Sequence, residues 1–274
     1  MSVLQRHNVQ VTGAGEPAMI FAHGYGCDQN MWRFVAPAFA RDHRVVLFDH
    51  AGAGKSDPAA FSRSRHASLG GYASDLLEIC AELDLSGAIF VGHSVSAMIG
   101  VLAALREPDR FSKLVLIGPS PCYLNDGEYQ GGFGRKDIDA LLESLGSNYL
   151  GWSSAMAPVI MGNPDRPELA TELTNSFCRT DPEKAKVFAR ATFLSDNRAD
   201  LPKLTVPSLI LQCSQDPIAP EAVGRYLHAR LPKSELKILK ATGHCPNLSA
   251  PEETIAAMRG FVGASANSGT DVRA

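Results

Sequence analysis

Ile89-Phe-Val-Gly-His-Ser-Val-Ser-Ala97 is the stretch whose reading decides the fold. A short apolar run reaches Gly92-x-Ser94-x-Ser96 and passes straight into a second apolar stretch with helical character. A strand, a sharp turn and a helix in that order form a nucleophile elbow, in which the serine is lifted above a parallel sheet at a helix N-terminus. Small residues at Gly92 and Ser96 let the turn pack closely. The usual pattern has glycine where Ser96 stands, so a serine there is expected to fit at some steric cost. The plain structural alternative is a buried serine in a tight turn; the flanking strand and helix favour the nucleophile.

Outward from the elbow, β-rich runs at residues 18–22, 44–48, 88–91, 113–117, 208–212 and 235–238 alternate with helical patterns at 31–40, 69–83, 96–107, 220–231 and 251–262. Several of the runs are almost continuously apolar, as in strands covered on both faces. The pattern predicts an α/β fold with a mostly parallel central sheet. It breaks between residues 119 and 200, where helical periodicity appears at 138–150, 167–177 and 182–194 without a convincing strand. Crossover connections are usually much shorter than this. The segment is therefore expected to be an inserted helical lid over the strand ends. Residues 1–118 and 201–262 then make the core, and the small, polar tail 263–274 is expected to be disordered.

Three further motifs complete a chemistry. Phe21-Ala-His-Gly-Tyr-Gly26 follows an early strand. An acyl-transfer site needs two backbone N–H donors aimed at the developing oxyanion, and the expected pair is Tyr25, in this loop, and Val95, after the elbow serine. Leu209-Ile-Leu-Gln-Cys-Ser-Gln-Asp216 and Thr242-Gly-His244-Cys-Pro246 each follow a late strand. The order Ser94, Asp216, His244 is the one this architecture demands of a triad. The histidine takes the serine proton, and the aspartate holds its tautomer and stabilises the imidazolium. Of eight histidines, His23 and His93 belong to the turn motifs, whereas His7, His43, His50, His66 and His228 lack a late-strand context. An aspartate nucleophile is excluded with serine at the elbow. Such chemistry needs no cofactor and no metal, and none is expected.

Gly52-Ala-Gly-Lys-Ser56 resembles a phosphate-binding loop, but the first glycine of that motif would fall on Asp49. The six cysteines, Cys27, Cys80, Cys122, Cys178, Cys213 and Cys245, form no C-x-x-C pair and read as free thiols of a reducing cytoplasm. A net charge of −3 gives no basic field for nucleic acid or an anionic membrane. No signal peptide is legible at the N-terminus, and the most apolar segment, 97–105, is too short to span a bilayer. A cytoplasmic location without membrane or nucleic-acid partners is expected.

Longer strings extend the reading across almost the whole chain, from about Gly24 to Glu253. They include Gly24-Tyr-Gly-Cys-Asp-Gln29, Val91-Gly-His-Ser-Val-Ser-Ala-Met-Ile-Gly100 and Pro119-Ser-Pro-Cys-Tyr-Leu-Asn-Asp126. Gly131-Gly-Phe133, Asn163-Pro-Asp-Arg-Pro167, Ser176-Phe-Cys-Arg-Thr-Asp-Pro182, Phe193-Leu-Ser-Asp-Asn-Arg198 and Gly243-His-Cys-Pro246 belong with them. On these residues the chain resembles the branch of α/β-hydrolases that holds the bacterial stress regulator RsbQ and the plant karrikin and strigolactone receptors. Ser96 resembles the plant receptors, since RsbQ carries the usual glycine. The resemblance implies a four-helix lid over a hydrophobic cavity with the triad at its floor. It also implies either of two roles. One is hydrolysis of small apolar esters or lactones. The other is a signalling module whose slow hydrolysis engages a regulatory protein partner, such as a phosphatase with a PAS sensor domain. Carbon–carbon bond hydrolysis or cofactor-free perhydrolysis could use the same triad. Because enclosed small-molecule sites are mostly apolar and aromatic, Phe133, Trp152, Met156, Phe188, Phe193 and Cys245 are the expected lining.

Overall fold

Seven strands form one sheet in the computed structural model, which describes residues 1–263. They are β1 (Gln10–Thr12), β2 (Met19–Ala22), β3 (Val45–Phe48), β4 (Ala88–His93), β5 (Phe111–Ile117), β6 (Ser208–Gln215) and β7 (Ser234–Thr242). Their spatial order is β1-β3-β2-β4-β5-β6-β7, with β1 antiparallel to β3 and every other pair parallel. The apolar runs are continuous because each face has its own core. Alternate residues of β2 and β4 divide between them: Met19, Phe21, Ile89 and Val91 enter one, and Ile20, Ala22, Ala88 and Phe90 the other. That division is the two-residue period of a strand applied to a sheet buried on both sides.

The helices are α1 (Val3–Arg6), α2 (Leu69–Glu82), α3 (Val95–Arg106), α4 (Arg135–Ser147), α5 (Tyr149–Met161), α6 (Pro167–Arg179), α7 (Pro182–Phe193), α8 (Glu221–Arg230), α9 (Pro246–Ser249) and α10 (Pro251–Val262). Helices α2, α3 and α8 cover one face of the sheet, whereas α10 and the segment after β2 cover the other. Helices α4–α7 form the insertion between β5 and β6. The periodic segments of the sequence correspond to α4, α6 and α7; α5 is a fourth helix that the periodicity did not separate, because it is apolar almost all round.

One sequence expectation is corrected, and one strand was not foreseen. Residues 31–40 do not form an α-helix but two 3-10 turns, Gln29–Trp32 and Ala36–Phe39. Pro37 has no N–H to give and its ring would strike the carbonyl four residues back, so a continuous helix is broken there. Met31, Trp32, Val35, Ala36 and Phe39 stay buried all the same, with Trp32 edge-on to Phe21 at 5.3 Å between ring centres, while Phe34 is exposed. The edge strand β1, exposed along its length, was not legible in the sequence. The expectation for the tail lies, for residues 264–274, outside the described residues.

The strand order reverses around β2: the chain steps from β2 outward to β3, then returns to β4 on the other side. Ala22 is in register with Gly92, so the loops after β2 and β4 leave the sheet side by side. A crevice at such a switch point is where open α/β sheets bind ligands. Because Trp32 seals the sheet face below it, Trp32→Ala is expected to lower the unfolding free energy by about 3–5 kcal/mol in urea titration. A loss below about 1 kcal/mol would show that the 3-10 segment is not core.

Candidate active site

Ser94 sits between β4 and α3 with φ 56° and ψ −123°, a left-handed conformation that a side-chain-bearing residue adopts only at a cost of about 1–3 kcal/mol. The turn aims its hydroxyl away from the sheet. Ser94 Oγ donates to His244 Nε2 at 2.8 Å, and His244 Nδ1 donates to Asp216 Oδ2 at 2.7 Å. All three side chains are buried. The three residues singled out from the sequence are thus brought together, from the ends of β4, β6 and β7.

Each is held from behind. The second oxygen of Asp216 accepts the main-chain N–H groups of Ile218 and Ala219, at 2.8 and 3.0 Å, which leaves Oδ2 alone to face the imidazole. The main-chain N–H of His244 donates to Ile160 O in α5, and its carbonyl accepts from His93 Nε2 at 2.7 Å. Burial, with the His244 ring as a lesser cause, pushes His93 down to about 3. It is therefore a neutral wall residue rather than a second base.

The loop after β2 lies against this array. A Cβ on Gly24 would stand 2.5 Å from His93 Nδ1 and 3.4 Å from Ser94 Cβ, so only glycine permits the approach. Tyr25 follows it beside the cavity, and Val95 opens α3, where the first N–H groups of a helix have no partner within it. Ser96 is fully buried; its hydroxyl donates to His23 O, and His50 Nε2 stands 2.7 Å from it. The serine expected here at some steric cost points its side chain into a polar seam.

A cavity with about 450 Å³ of unfilled space, its mouth included, opens above Ser94 and His244. Trp152, Phe193 and Cys245 line it, as do Tyr25, Cys27, Tyr123, Leu173, Phe177 and Ile218. Phe133, Met156 and Phe188 do not. Phe133 and Met156 border a separate groove on the outside of α4 and α5, on the far side of Trp152. Phe188 stacks on Tyr72 of α2 at 4.3 Å and meets the His50 ring edge-on, which makes it core beneath the lid. Aromatic composition marks a lid, but the direction each ring faces is set by which neighbour the helix meets.

Sequence reasoning missed Cys27, Tyr123, Leu173, Phe177 and Ile218 as lining, and of these Tyr123 brings a polar group. It lies in the loop after β5, and a strand-end position in a parallel sheet was the available signal. Its hydroxyl, that of Tyr25 and the Trp152 indole N–H are buried and have no hydrogen-bond partner among the described residues. Burial pushes the Tyr123 phenol up to about 12, so it remains a proton donor. Burial likewise raises the Cys27 thiol to about 12 and Cys245 well above its ordinary value. Both are protonated pocket lining and not nucleophiles. Among the described residues, no group of three His, Cys, Asp or Glu is placed to hold a metal ion.

The glycine-rich segment after β3 is a turn organised on Asp49, whose carboxylate accepts the main-chain N–H groups of Gln29 and Lys55, each at 2.8 Å. A side chain that ties two loops in this way cannot cradle a phosphate.

A mostly parallel sheet with a helical insertion after β5 and an elbow serine after β4 defines an α/β hydrolase. The chain belongs to that family: the model described as "Alpha/beta hydrolase family" matches residues 19–257. Within it, the chain is similar to the protein named Karrikin insensitive 2 receptor CA of Petunia hybrida, at 40% identity over 92% of this chain and 94% of that one. It is also similar to Strigolactone esterase D14 of Arabidopsis thaliana, at 38% identity over 92% and 94%. Among solved structures it resembles a hydrolase from Oleispira antarctica with a TM-score of 0.94 and 42% identity, covering 96% of this chain and 97% of that one.

The different placement of the lid aromatics has a measurable consequence. Trp152→Ala is expected to shift acyl preference toward bulkier esters with little loss of stability. Phe188→Ala should instead cost about 3 kcal/mol or more, as core truncations do, and leave the preference unchanged. Paired measurements of chain-length profile and denaturation midpoint check this, and the reverse pattern would exchange the two roles.

Proposed function

We propose that this chain is a serine hydrolase of small apolar esters and lactones, with Ser94 as nucleophile, His244 as general base and acid, and Asp216 as the group that orients it. The observation that carries the reading is the unbroken hydrogen-bonded line Ser94–His244–Asp216 at the floor of a narrow, largely apolar cavity. With Nδ1–H committed to Asp216, the free lone pair of His244 is on Nε2, facing the serine. As Ser94 Oγ attacks a carbonyl carbon, its proton passes to His244 Nε2. The electron pair displaced from the carbonyl gathers on the oxygen, where the N–H groups of Tyr25 and Val95 stabilise it. Collapse of the tetrahedral intermediate breaks the carbonyl carbon–oxygen single bond, and His244 returns the proton to the departing oxygen. A water molecule, deprotonated by the same nitrogen, then releases the acyl group and restores Ser94.

The cavity supports the substrate class. Its small volume and aromatic lining favour compact apolar acyl groups, and the unpartnered hydroxyls of Tyr25 and Tyr123 and the Trp152 N–H offer donors to ring or carbonyl oxygens. The name of the Arabidopsis relative, an esterase of strigolactones, points the same way. The name of the Petunia relative, a receptor, supports a second reading, in which hydrolysis is slow and serves a signal to a regulatory protein such as a PAS-domain phosphatase. The free cysteines support a reducing, cytoplasmic setting, and no helix among the described residues is long and apolar enough to cross a membrane.

Ser94→Ala and His244→Ala should each lower turnover of p-nitrophenyl acetate and of a butenolide by roughly 10⁴-fold, and the double variant should be no worse than either single one. Retention of more than a few per cent of activity by Ser94→Ala sinks the mechanism. A wild-type turnover near or above ~10 s⁻¹ on the better substrate favours a metabolic enzyme. Turnover in minutes or slower, with product retained, favours the signalling reading.

A further inference from the structure

The position where this chain departs from the usual elbow pattern is also where it touches the loop after β2. Ser96 Oγ donates to the carbonyl of His23. His50 Nε2 lies 2.7 Å from that hydroxyl and 3.2 Å from the same carbonyl, and the main-chain N–H of His50 donates to His23 Nε2 at 3.1 Å. His23 Nδ1 in turn lies 2.8 Å from Gly24 O. Ser96, His23 and His50 are all buried.

These contacts fix every proton in the seam. His23 Nε2 accepts, so its proton is on Nδ1, which donates to Gly24 O. His50 Nε2 faces a hydroxyl that is already donating and a carbonyl that can only accept. It therefore carries the proton, and the bare Nδ1 is the atom left without a partner. Burial holds both rings below their ordinary range, so neither gains a second proton near neutrality. The result is one directed chain: His50 Nε2–H to Ser96 Oγ, Ser96 O–H to His23 C=O, and His23 Nδ1–H to Gly24 C=O.

We infer that Ser96 and His50 are positioning residues for the oxyanion hole, acting through His23 on the orientation of the Tyr25 N–H. The link is the planarity of the peptide bond. The Gly24 carbonyl and the Tyr25 N–H belong to one trans peptide and point in opposite directions. Anchoring the carbonyl on the His23 ring therefore turns the N–H the other way. Ser96 fixes the preceding peptide in the same manner, through the His23 carbonyl. A glycine at position 96, the usual elbow residue, has no hydroxyl for this; the His23 carbonyl would keep only the longer 3.2 Å contact to His50 Nε2, and the Gly24 carbonyl its bonds from the His23 ring and the Cys27 N–H. The inference rests on the reading of Tyr25 as an oxyanion donor and adds to it the groups that hold that donor in place.

The test separates oxyanion stabilisation from folding and from substrate binding. Kinetics with p-nitrophenyl acetate are measured for the full chain and for Ser96→Ala, Ser96→Gly, His50→Leu and His50→Gln. Inhibition by an alkyl trifluoromethyl ketone is measured beside that by the matching methyl ketone. Ser94 adds to the fluorinated carbonyl, its proton passing to His244, and the adduct places a negative oxygen in the hole; the methyl ketone reports ground-state binding. Loss of an entire oxyanion donor costs about 10²–10³-fold in kcat, so a misaimed donor should cost about 10–100-fold.

Both Ser96 variants should show that loss in kcat with KM within twofold, and an equal loss in trifluoromethyl ketone affinity, while methyl ketone affinity holds. His50→Leu should match them, and His50→Gln, whose amide can donate the same bond to Ser96, should recover most of the loss. Should neither Ser96 variant fold, the His50 pair decides alone. The inference is overturned if folded variants keep kcat within twofold, or if both ketones weaken together. Ser94→Ala, run in parallel, keeps the two levels apart. If it stays active the triad reading fails, whereas if it is dead and the Ser96 and His50 variants behave as wild type, only the positioning role fails.

Discussion

The backbone of Ser94 holds a conformation that disfavours any residue with a side chain, and the rest of the site depends on that turn. A serine in an ordinary loop would lay its hydroxyl along the sheet surface, where neither His244 nor the loop after β2 could reach it. Held at positive φ between a fully buried strand and a buried helix, it stands out of the sheet edge at a fixed height. The cost of the conformation is borne by packing on either side: β4 and the first two turns of α3 are buried almost without exception. A parallel sheet supplies the remaining geometry, because β2, β4, β6 and β7 all end on the same edge, and their following loops carry Gly24, Ser94, Asp216 and His244 to one point.

The lid is not an independent cover. Ile160 of α5 accepts the main-chain N–H of His244, and Ser176 of α6 donates to Gly26 O in the loop that holds Tyr25. The insertion therefore contributes hydrogen bonds to two of the loops that shape the site, in addition to Trp152, Leu173, Phe177 and Phe193 on the cavity wall. An apolar enclosure also matters electrostatically. Charge developing on a carbonyl oxygen is stabilised more strongly by fixed N–H groups when water is kept away. On the proposed mechanism, closure over Ser94 serves the chemistry as well as the choice of acyl group.

What could be read from residues alone was what depends on local order. The elbow is a strand, a turn and a helix in immediate succession, so its chemistry is written within nine residues. Asp216 and His244 were recognisable because each follows a late strand, and chain order substitutes for spatial position when strands are parallel. The segment at 31–40 misled for the opposite reason. Its apolar spacing is that of a buried face whether the backbone is α-helical or 3-10, and only Pro37 carried the difference.

The lid aromatics mark the boundary most clearly. Composition identified residues 119–200 as an apolar, helical insertion, yet Trp152 and Phe193 face the cavity while Phe188 stacks on Tyr72 and Phe133 borders an outer groove. A helix presents several faces, and which of them meets ligand, sheet or solvent is set by the helices packed around it, information that no local window contains. Ser96 is the same case within the elbow itself. The sequence alone determined the α/β class, the order and identity of the three side chains that form the hydrogen-bonded line and the presence of a lid, because each is encoded in short-range pattern. Only the tertiary structure decided which rings line the cavity and that Ser96 is bonded to His23 and His50, because those partners lie 73 and 46 residues away along the chain and meet only when the sheet is formed.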